Sequence, residues 1–291
     1  MLTDRRYAIG LTPTGNAETE KQPPRASVVV VSHNRADRLR KCLESLERLD
    51  GRERLQLIVV ENGSRDASAQ VVEEFPDIQH IRLPKNFGLT KAMNLGWRAA
   101  DAEYVLFLHE DTEVEAGVVT RLAGALDADA AAAAVCPLLV DAEGNPAPQL
   151  GLLPPDGEWR AAEPSTQPVA VEYPRGAALM ARVFLIKAVR QIDERYGQFG
   201  GDADLAAQIL RAGKKILLIP EARVRHYGDR PAEALVRADF LLGRAVFAGK
   251  YLGFLAGLRA RLAAIIGPLA RLQLAEVRYT LAGQKVDGTQ G

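Results

Sequence analysis

The stretch YVLFLHEDTEVEAG, residues 104–117, runs five apolar residues directly into His109, Glu110 and Asp111. Imidazole and carboxylate groups are ligand types for divalent cations, and a carboxylate just beyond a strand can hold Mg²⁺ or Mn²⁺ together with substrate phosphates. A plainer reading competes. Thr112 and Glu115 have the spacing of a capping box, which would make the acidic run the start of a helix. A second acidic pair, Asp202 and Asp204 in GGDADL, falls just before or at the start of another helical pattern.

These residues need elements to position them. From Ala26 onward, short β-branched runs alternate with longer amphipathic segments: SVVVVS, a helical pattern over 36–49, LQLIVVE, a helical pattern over 66–75, IQHIRL, the helical LTKAMNLGWRAA, YVLFLH, a helical pattern over 117–126, and AAAAVCPLLV. Nearly continuous apolar strands separated by helices predict a mainly parallel sheet covered on both faces, an α/β architecture. Ligands of such sheets sit beyond the carboxyl ends of the strands. Those ends carry Ser32 to Arg35, Glu61 to Ser64, Asn86 with Gly88, and His109 to Asp111.

After Val140 a Pro- and Gly-rich region through residue 168 reads as a surface excursion or lid. A second half follows, with strand material in VEYPRGAALMARV, a helix over 184–192, the helix ADLAAQILRAG and the strand KILLIP. Residues 232–275 are apolar with recurrent Arg237, Arg244, Lys250, Arg259, Arg261 and Arg271. No charge-free run there approaches the roughly 20 residues of a membrane span. The segment reads either as a basic amphipathic surface that touches a membrane or partner through 235–275, or as helices packed on the core.

With 47% apolar and 25% charged residues in 291, the chain is globular, one large domain or two small ones. Thirty-seven basic residues balance thirty-seven acidic ones, so no global field draws it to nucleic acid. Cys42 and Cys136 are the only cysteines and form no CxxC, which suits a reducing compartment. Residues 1–25 lack an apolar signal segment and read as a mobile lead-in, so a cytoplasmic location is expected. Neither GxGxxG after the first strand nor GxxxxGK[ST] occurs, which argues against a Rossmann dinucleotide site and a P-loop.

The succession VVVVSHNR, IVVENGSRD, NFGLTKAMNLG, FLHEDTEVEAG, RGAALMARV, IDERYGQFGGDADLAAQILRAG and VRHYG resembles family 2 glycosyltransferases, in particular their rhamnosyltransferase branch, over residues 26–228. The resemblance implies a GT-A fold over 26–230, with a nucleotide-sugar half at about 26–140, an acceptor half at about 169–230 and a helical extension over 231–291. It implies inverting transfer from a UDP-, dTDP- or GDP-linked sugar to a glycan or lipid-linked glycan acceptor. Cell-surface polysaccharide or lipopolysaccharide assembly is the expected setting, at the inner face of the membrane.

By motif, Asp111 corresponds to the metal-binding aspartate of the DxD element, with His109 in its first position and Glu110 between. His226 corresponds to a histidine that completes the metal or diphosphate site, for Mn²⁺ or Mg²⁺. Ser32, Asn34 and Glu61 correspond to nucleotide contacts, and Asn86, Gly88, Lys91 and Asn94 to a segment bordering the donor. Arg175 and Gly176 correspond to the floor beneath the acceptor. Asp202 takes the position of the catalytic base, with Gly201 where an acid usually precedes it, and Asp204 orients a helix end or meets the acceptor. Asp66 is read as a helix N-cap. A glycosidase would need two carboxylates flanking a sugar. A sugar nucleotidyltransferase would need a Gly- and Arg-rich first loop, which SHNRADR is not. The remaining alternative is a degenerate nucleotide-sugar-binding or membrane-peripheral interaction protein.

Overall fold

The computed structural model describes residues 23–228 and 233–286, so most of the lead-in expected at 1–25 lies outside the described residues. In chain order the first half comprises β1 (Ala26–Ser32), α1 (Ala36–Glu47), β2 (Leu55–Glu61), α2 (Ser68–Glu73), β3 (Gln79–Arg82), α3 (Leu89–Arg98), β4 (Tyr104–His109), β5 (Thr112–Val114), α4 (Val118–Ala128) and β6 (Ala132–Val140). The second half adds β7 (Leu150–Gly151), β8 (Val169–Val171), β9 (Tyr173–Pro174), β10 (Ala178–Arg182), α5 (Val183–Ala188), α6 (Gly201–Arg211) and β11 (Lys215–His226). Helices α7 (Ala234–Tyr251), α8 (Phe254–Ala270) and α9 (Leu274–Ala282) close the chain.

The main sheet runs β3-β2-β1-β4-β10-β6-β11-β5, with β8 beside β11. Its first four strands are parallel, as continuous apolar runs require. Strand β10 enters antiparallel between β4 and β6, and β6 pairs with β11 in parallel. All seven residues of β1 are buried because both faces are covered. The twofold alternation of a strand puts Val28 and Val30 in the hydrophobic cluster that includes Leu39, Leu43 and Leu46 of α1 and Leu122 of α4. It puts Val29 and Val31 in the cluster on the other face, with Met93 and Trp97 of α3 and Leu205 and Ile209 of α6.

Two local expectations are corrected. Thr112 and Glu115 do not start a helix: Thr112 lies in β5, its hydroxyl donates to the His109 carbonyl at 2.8 Å, and α4 begins after Gly117. Pairing of β5 with β11, which brings Thr112 opposite His226, outweighs the local capping preference. Asp66 stands one residue before the capping position of α2 and joins two helices. Its carboxylate accepts from the Ser68 amide at 3.0 Å and from Ala36, the first amide of α1, at 2.9 Å.

The region after Val140 folds back on the domain. A bridge between Leu150 and Arg160 returns the chain, and Trp159 packs against Tyr173 with ring centroids 4.9 Å apart and the planes tilted by 50°.

Candidate active site

The strand register places the chemical groups on one rim. Ser32 lies opposite Glu61, and Val31 opposite His109, so β1, β2 and β4 end at nearly the same level. Beyond β1 the chain turns through Asn34 in a left-handed conformation, φ 55°, one that asparagine tolerates. The Asn34 side-chain oxygen Oδ1 accepts from the Arg65 amide at 2.7 Å, and the Asn34 main-chain amide donates to Ser64 Oγ at 3.0 Å. Glu61 is buried and accepts from the Ser64 amide at 2.6 Å. The Ser32 hydroxyl is buried beside it without a hydrogen-bond partner.

Asn62 clamps the next loop. Its side-chain NH₂ donates to Asn86 Oδ1 at 3.0 Å and to the Gly88 carbonyl at 3.3 Å, while its oxygen accepts from the Phe87 amide at 2.9 Å. Asn86 and Gly88 are thereby fixed behind the rim. Lys91 stands against Phe87, its Nζ 4.8 Å from the ring centroid. Asn94 is fully buried, accepting from Trp97 Nε1 at 2.9 Å and donating to the Ile192 carbonyl at 2.8 Å. It holds the 190s segment in place, and a donor-bordering role does not fit its surroundings.

His109, Asp111 and His226 meet where β4, the turn before β5 and the end of β11 converge. Each offers a ligand atom within 4.8 Å of the others. His226 Nε2 stands 3.4 Å from Asp111 Oδ1, and the Tyr227 amide donates to the Asp111 carbonyl at 3.1 Å. Arg35 approaches Asp111 at 4.0 Å. Two imidazoles and one carboxylate make a mixed nitrogen and oxygen donor set, in which the carboxylate suits Mn²⁺ or Mg²⁺ and the imidazoles favour a first-row transition ion over Mg²⁺. Glu110, between the two ligands, is buried. Burial pushes the nearby Cys42 thiol up to about 12, with Glu110 and Asp111 adding to the effect, so Cys42 is a protonated packing residue.

A cavity of about 440 Å³ opens beside this cluster. His109, Arg175, Gly176 and Asp202 all line it. Asp202 sits in the first turn of α6. Its Oδ1 accepts from the Tyr173 hydroxyl at 3.0 Å and the Ala203 amide at 2.9 Å, and its Oδ2 from the Gly176 amide at 3.2 Å. Burial raises the carboxyl above the ordinary aspartate value, and those three donors act against it. Gly201 is buried against Thr90, whose Oγ1 would stand 2.5 Å from a β-carbon there, so a side chain before Asp202 has no room unless Thr90 shifts.

Asp204 turns the other way. It is fully buried and accepts from Lys250 Nζ at 2.7 Å, Tyr251 Oη at 2.8 Å and Gln208 Nε2 at 2.8 Å. It is neither a helix cap nor a wall of the cavity. Its carboxylate ties α6 to α7.

Several cavity residues were not singled out as site residues from sequence. Trp159 comes from the region after Val140, Tyr173 from β9, and Phe240, Arg244 and Arg271 from the C-terminal helices. The aromatic and basic character of both segments was a signal, but nothing local tied them to the rim.

The family model for glycosyl transferase family 2 matches residues 27–185, more than half of the chain. The N-acetylglucosaminyl-diphospho-decaprenol L-rhamnosyltransferase of Mycobacterium tuberculosis is 27% identical over 233 residues, which cover 69% of this chain and 75% of that protein. An N-acetylglucosaminyltransferase of Mesorhizobium japonicum is 29% identical over 262 residues, covering 83% of this chain and 61% of its own. Among solved structures, a GalNAc transferase with UDP, GalNAc and Mn²⁺ superposes with a TM-score of 0.67 at 14% identity, covering 90% of this chain and 57% of that one. A mannosyltransferase of Pyrobaculum calidifontis in complex with GDP-Man and Mn²⁺ gives 0.57 at 17% identity, covering 90% and 81%. At such identities the likeness establishes the fold, which is GT-A.

Proposed function

The chain belongs to glycosyl transferase family 2, and on that footing we propose that it moves a sugar from a nucleoside-diphosphate donor to an acceptor hydroxyl with inversion, in cell-surface glycan assembly. One observation carries the reading. A cluster able to hold a divalent cation and a carboxylate of raised pKa open onto one cavity, His109 from the first and Asp202 as the second.

Asp202 accepts the proton of the acceptor hydroxyl as that oxygen bonds to the anomeric carbon and the bond from that carbon to the diphosphate oxygen breaks. Its raised pKa suits a base, because the proton is held more firmly once taken. Tyr173, Gly176 and Ala203 aim the carboxylate across the cavity. Asp111, His109 and His226 would hold Mn²⁺ or Mg²⁺, which supplies positive charge against the departing diphosphate. Ser32, Asn34 and Glu61 face the base and ribose from the rim, and Arg175 meets acceptor or phosphate. The mycobacterial relative's name specifies a diphospho-decaprenol-linked acceptor. A lipid-linked diphosphate would suit the arginines and aromatic rings around this cavity.

The test is a transfer assay with UDP-, dTDP- and GDP-sugars, with and without Mn²⁺, beside the same nucleotides in thermal unfolding. A nucleotide at a hundred times its dissociation constant stabilises the native state by about 2.7 kcal/mol. Metal-dependent stabilisation together with turnover lost in Asp202→Asn is expected. Stabilisation without turnover over a broad acceptor set would favour the degenerate nucleotide-sugar-binding alternative, and no stabilisation by any nucleotide would overturn the donor site.

A further inference from the structure

Helix α8 turns its apolar side to solvent. Leu255, Leu258, Leu262, Ile266 and Leu269 recur at intervals of three and four, which at 3.6 residues per turn gathers them within an arc of about 80°. They are 66, 45, 49, 60 and 49% exposed. The opposite side is seated through small residues. Ala264 and Pro268 are buried, and a β-carbon on Gly257 would stand 2.6 Å from the α-carbon of Gly249 in α7. Phe254 at 79% and Leu272 at 81% extend the patch beyond both ends of the stripe. A core helix would bury these side chains; a contiguous apolar patch of this kind marks an interaction surface.

Charge indicates what covers it. Helix α8 contains Arg259 and Arg261 and no carboxylate. On a helical wheel the two arginines fall on opposite flanks of the stripe. That is the layout of a helix lying in a lipid interface, with apolar side chains among the acyl chains and guanidiniums at the level of anionic phosphates. A second copy of the chain fits less well. Both arginines lie near the middle of the helix, so a twofold pairing in either direction brings them together with no carboxylate to offset the repulsion. Among the described residues no helix is long and apolar enough to cross a membrane, so the contact is with the surface.

We propose that α8 docks the protein on the surface of an anionic phospholipid bilayer. Arg271, at the carboxyl end of α8, lines the same cavity as Asp202, so docking sets the cavity beside the headgroups. The inference stands on this surface and not on the transfer reading, since vesicle binding is measured without donor, metal or acceptor.

The full chain is sedimented with vesicles of phosphatidylcholine and phosphatidylglycerol, and with phosphatidylcholine alone. Binding to the anionic vesicles is expected, falling about tenfold or more in Leu262→Ser/Ile266→Ser as buried methylenes are lost. The variant's melting temperature should stay near that of the parent, because both residues are exposed. Arg259→Ser/Arg261→Ser should abolish the preference for anionic lipid. Protein that stays in the supernatant with both vesicle types would overturn the proposal, as would undiminished binding by the serine variant. A concentration-dependent dimer that the same serine substitutions dissociate would assign the face to a second copy instead.

Discussion

The Gly176 amide donates to Asp202 Oδ2 at 3.2 Å, and a β-carbon at position 176 would stand 2.9 Å from the Asp202 β-carbon. The carboxylate is therefore seated on bare backbone. Gly176→Ala should push it aside by a fraction of an ångström or more, and a displacement of about 1 Å at a reacting group can cost on the order of 100-fold in rate. Steady-state kinetics should show the loss in kcat, with the donor KM and the melting temperature little changed. An unaltered kcat would mean that the seat does not set the rate.

Tyr173 offers a second handle on the same carboxylate. Its hydroxyl donates to Asp202 Oδ1 and favours the charged form, while burial favours the neutral form and prevails. A base works when ionised, so activity should rise with pH through the Asp202 pKa, on an acid limb displaced upward from the ordinary aspartate value. Tyr173→Phe removes a donor and moves that limb upward. A hydrogen bond to a charged group contributes about 1.5 kcal/mol, so the shift should be about one pH unit. The readout is kcat/KM against pH. A limb that stays in place or moves down would remove Tyr173 from any role in tuning Asp202.

The donor set at His109, Asp111 and His226 makes a claim about the ion. Imidazole is an ordinary ligand of first-row transition ions, a series that Mn²⁺ opens although it too prefers oxygen, whereas Mg²⁺ is bound through oxygen. Mn²⁺ should support more transfer than Mg²⁺ at equal concentration, and His109→Asp should narrow that gap by restoring an oxygen ligand. His226→Ala should weaken Mn²⁺ binding by at least about tenfold, the scale on which even outer partners of metal ligands act. Titration followed by the paramagnetic signal of free Mn²⁺ measures this directly. Equal use of both ions by the parent would count against two imidazoles in the coordination sphere.

The parallel half of the sheet was legible because β1, β2 and β4 are continuous apolar runs whose polar residues begin where the strands end. The placement of Asp204 was not. It lies two residues from Asp202 on one helix, about 200° around the axis, so two aspartates with the same local context face opposite sides. What distinguishes them is Lys250, 46 positions further on. Thr112 failed for the same reason: its cap-like spacing is local, and the strand that claims it ends at His226. Asn62 was visible as a rim residue, but its clamp on Asn86 and Gly88 depends on a loop more than twenty positions away. Periodicity reports the layers, whereas long-range polar pairings decide which side chains reach the cavity.

Those pairings lead to a last prediction, on what holds the C-terminal helices to the catalytic half. Lys250 bridges Asp204 at 2.7 Å and Asp193 at 3.0 Å, and the Tyr251 hydroxyl also donates to Asp204. Asp193 resists protonation: burial opposes its charge, but bonds from Arg195 and Lys250 prevail and hold its carboxyl well below the usual range. Because that folded-state pKa is depressed, its stabilising effect is present at neutral pH and is lost progressively as pH falls from the ordinary aspartate value, where the unfolded chain takes up the proton, through the lowered folded-state value. Asp204→Ala removes the fully buried member, leaving a partly buried ammonium with Asp193 alone and Gln208 without this acceptor, while the Tyr251 hydroxyl keeps only the main-chain carbonyl of residue 204 at 3.3 Å. Breaking a buried pair costs about 3–5 kcal/mol, and the partial exposure of Lys250 argues for about 3 kcal/mol here. Hydrogen exchange should quicken in α7 ahead of β1, and Asp204→Asn, which keeps an acceptor, should lose less. Equal loss of protection in α7 and β1 would mean that the pair stabilises the whole domain and does not act as a local tether.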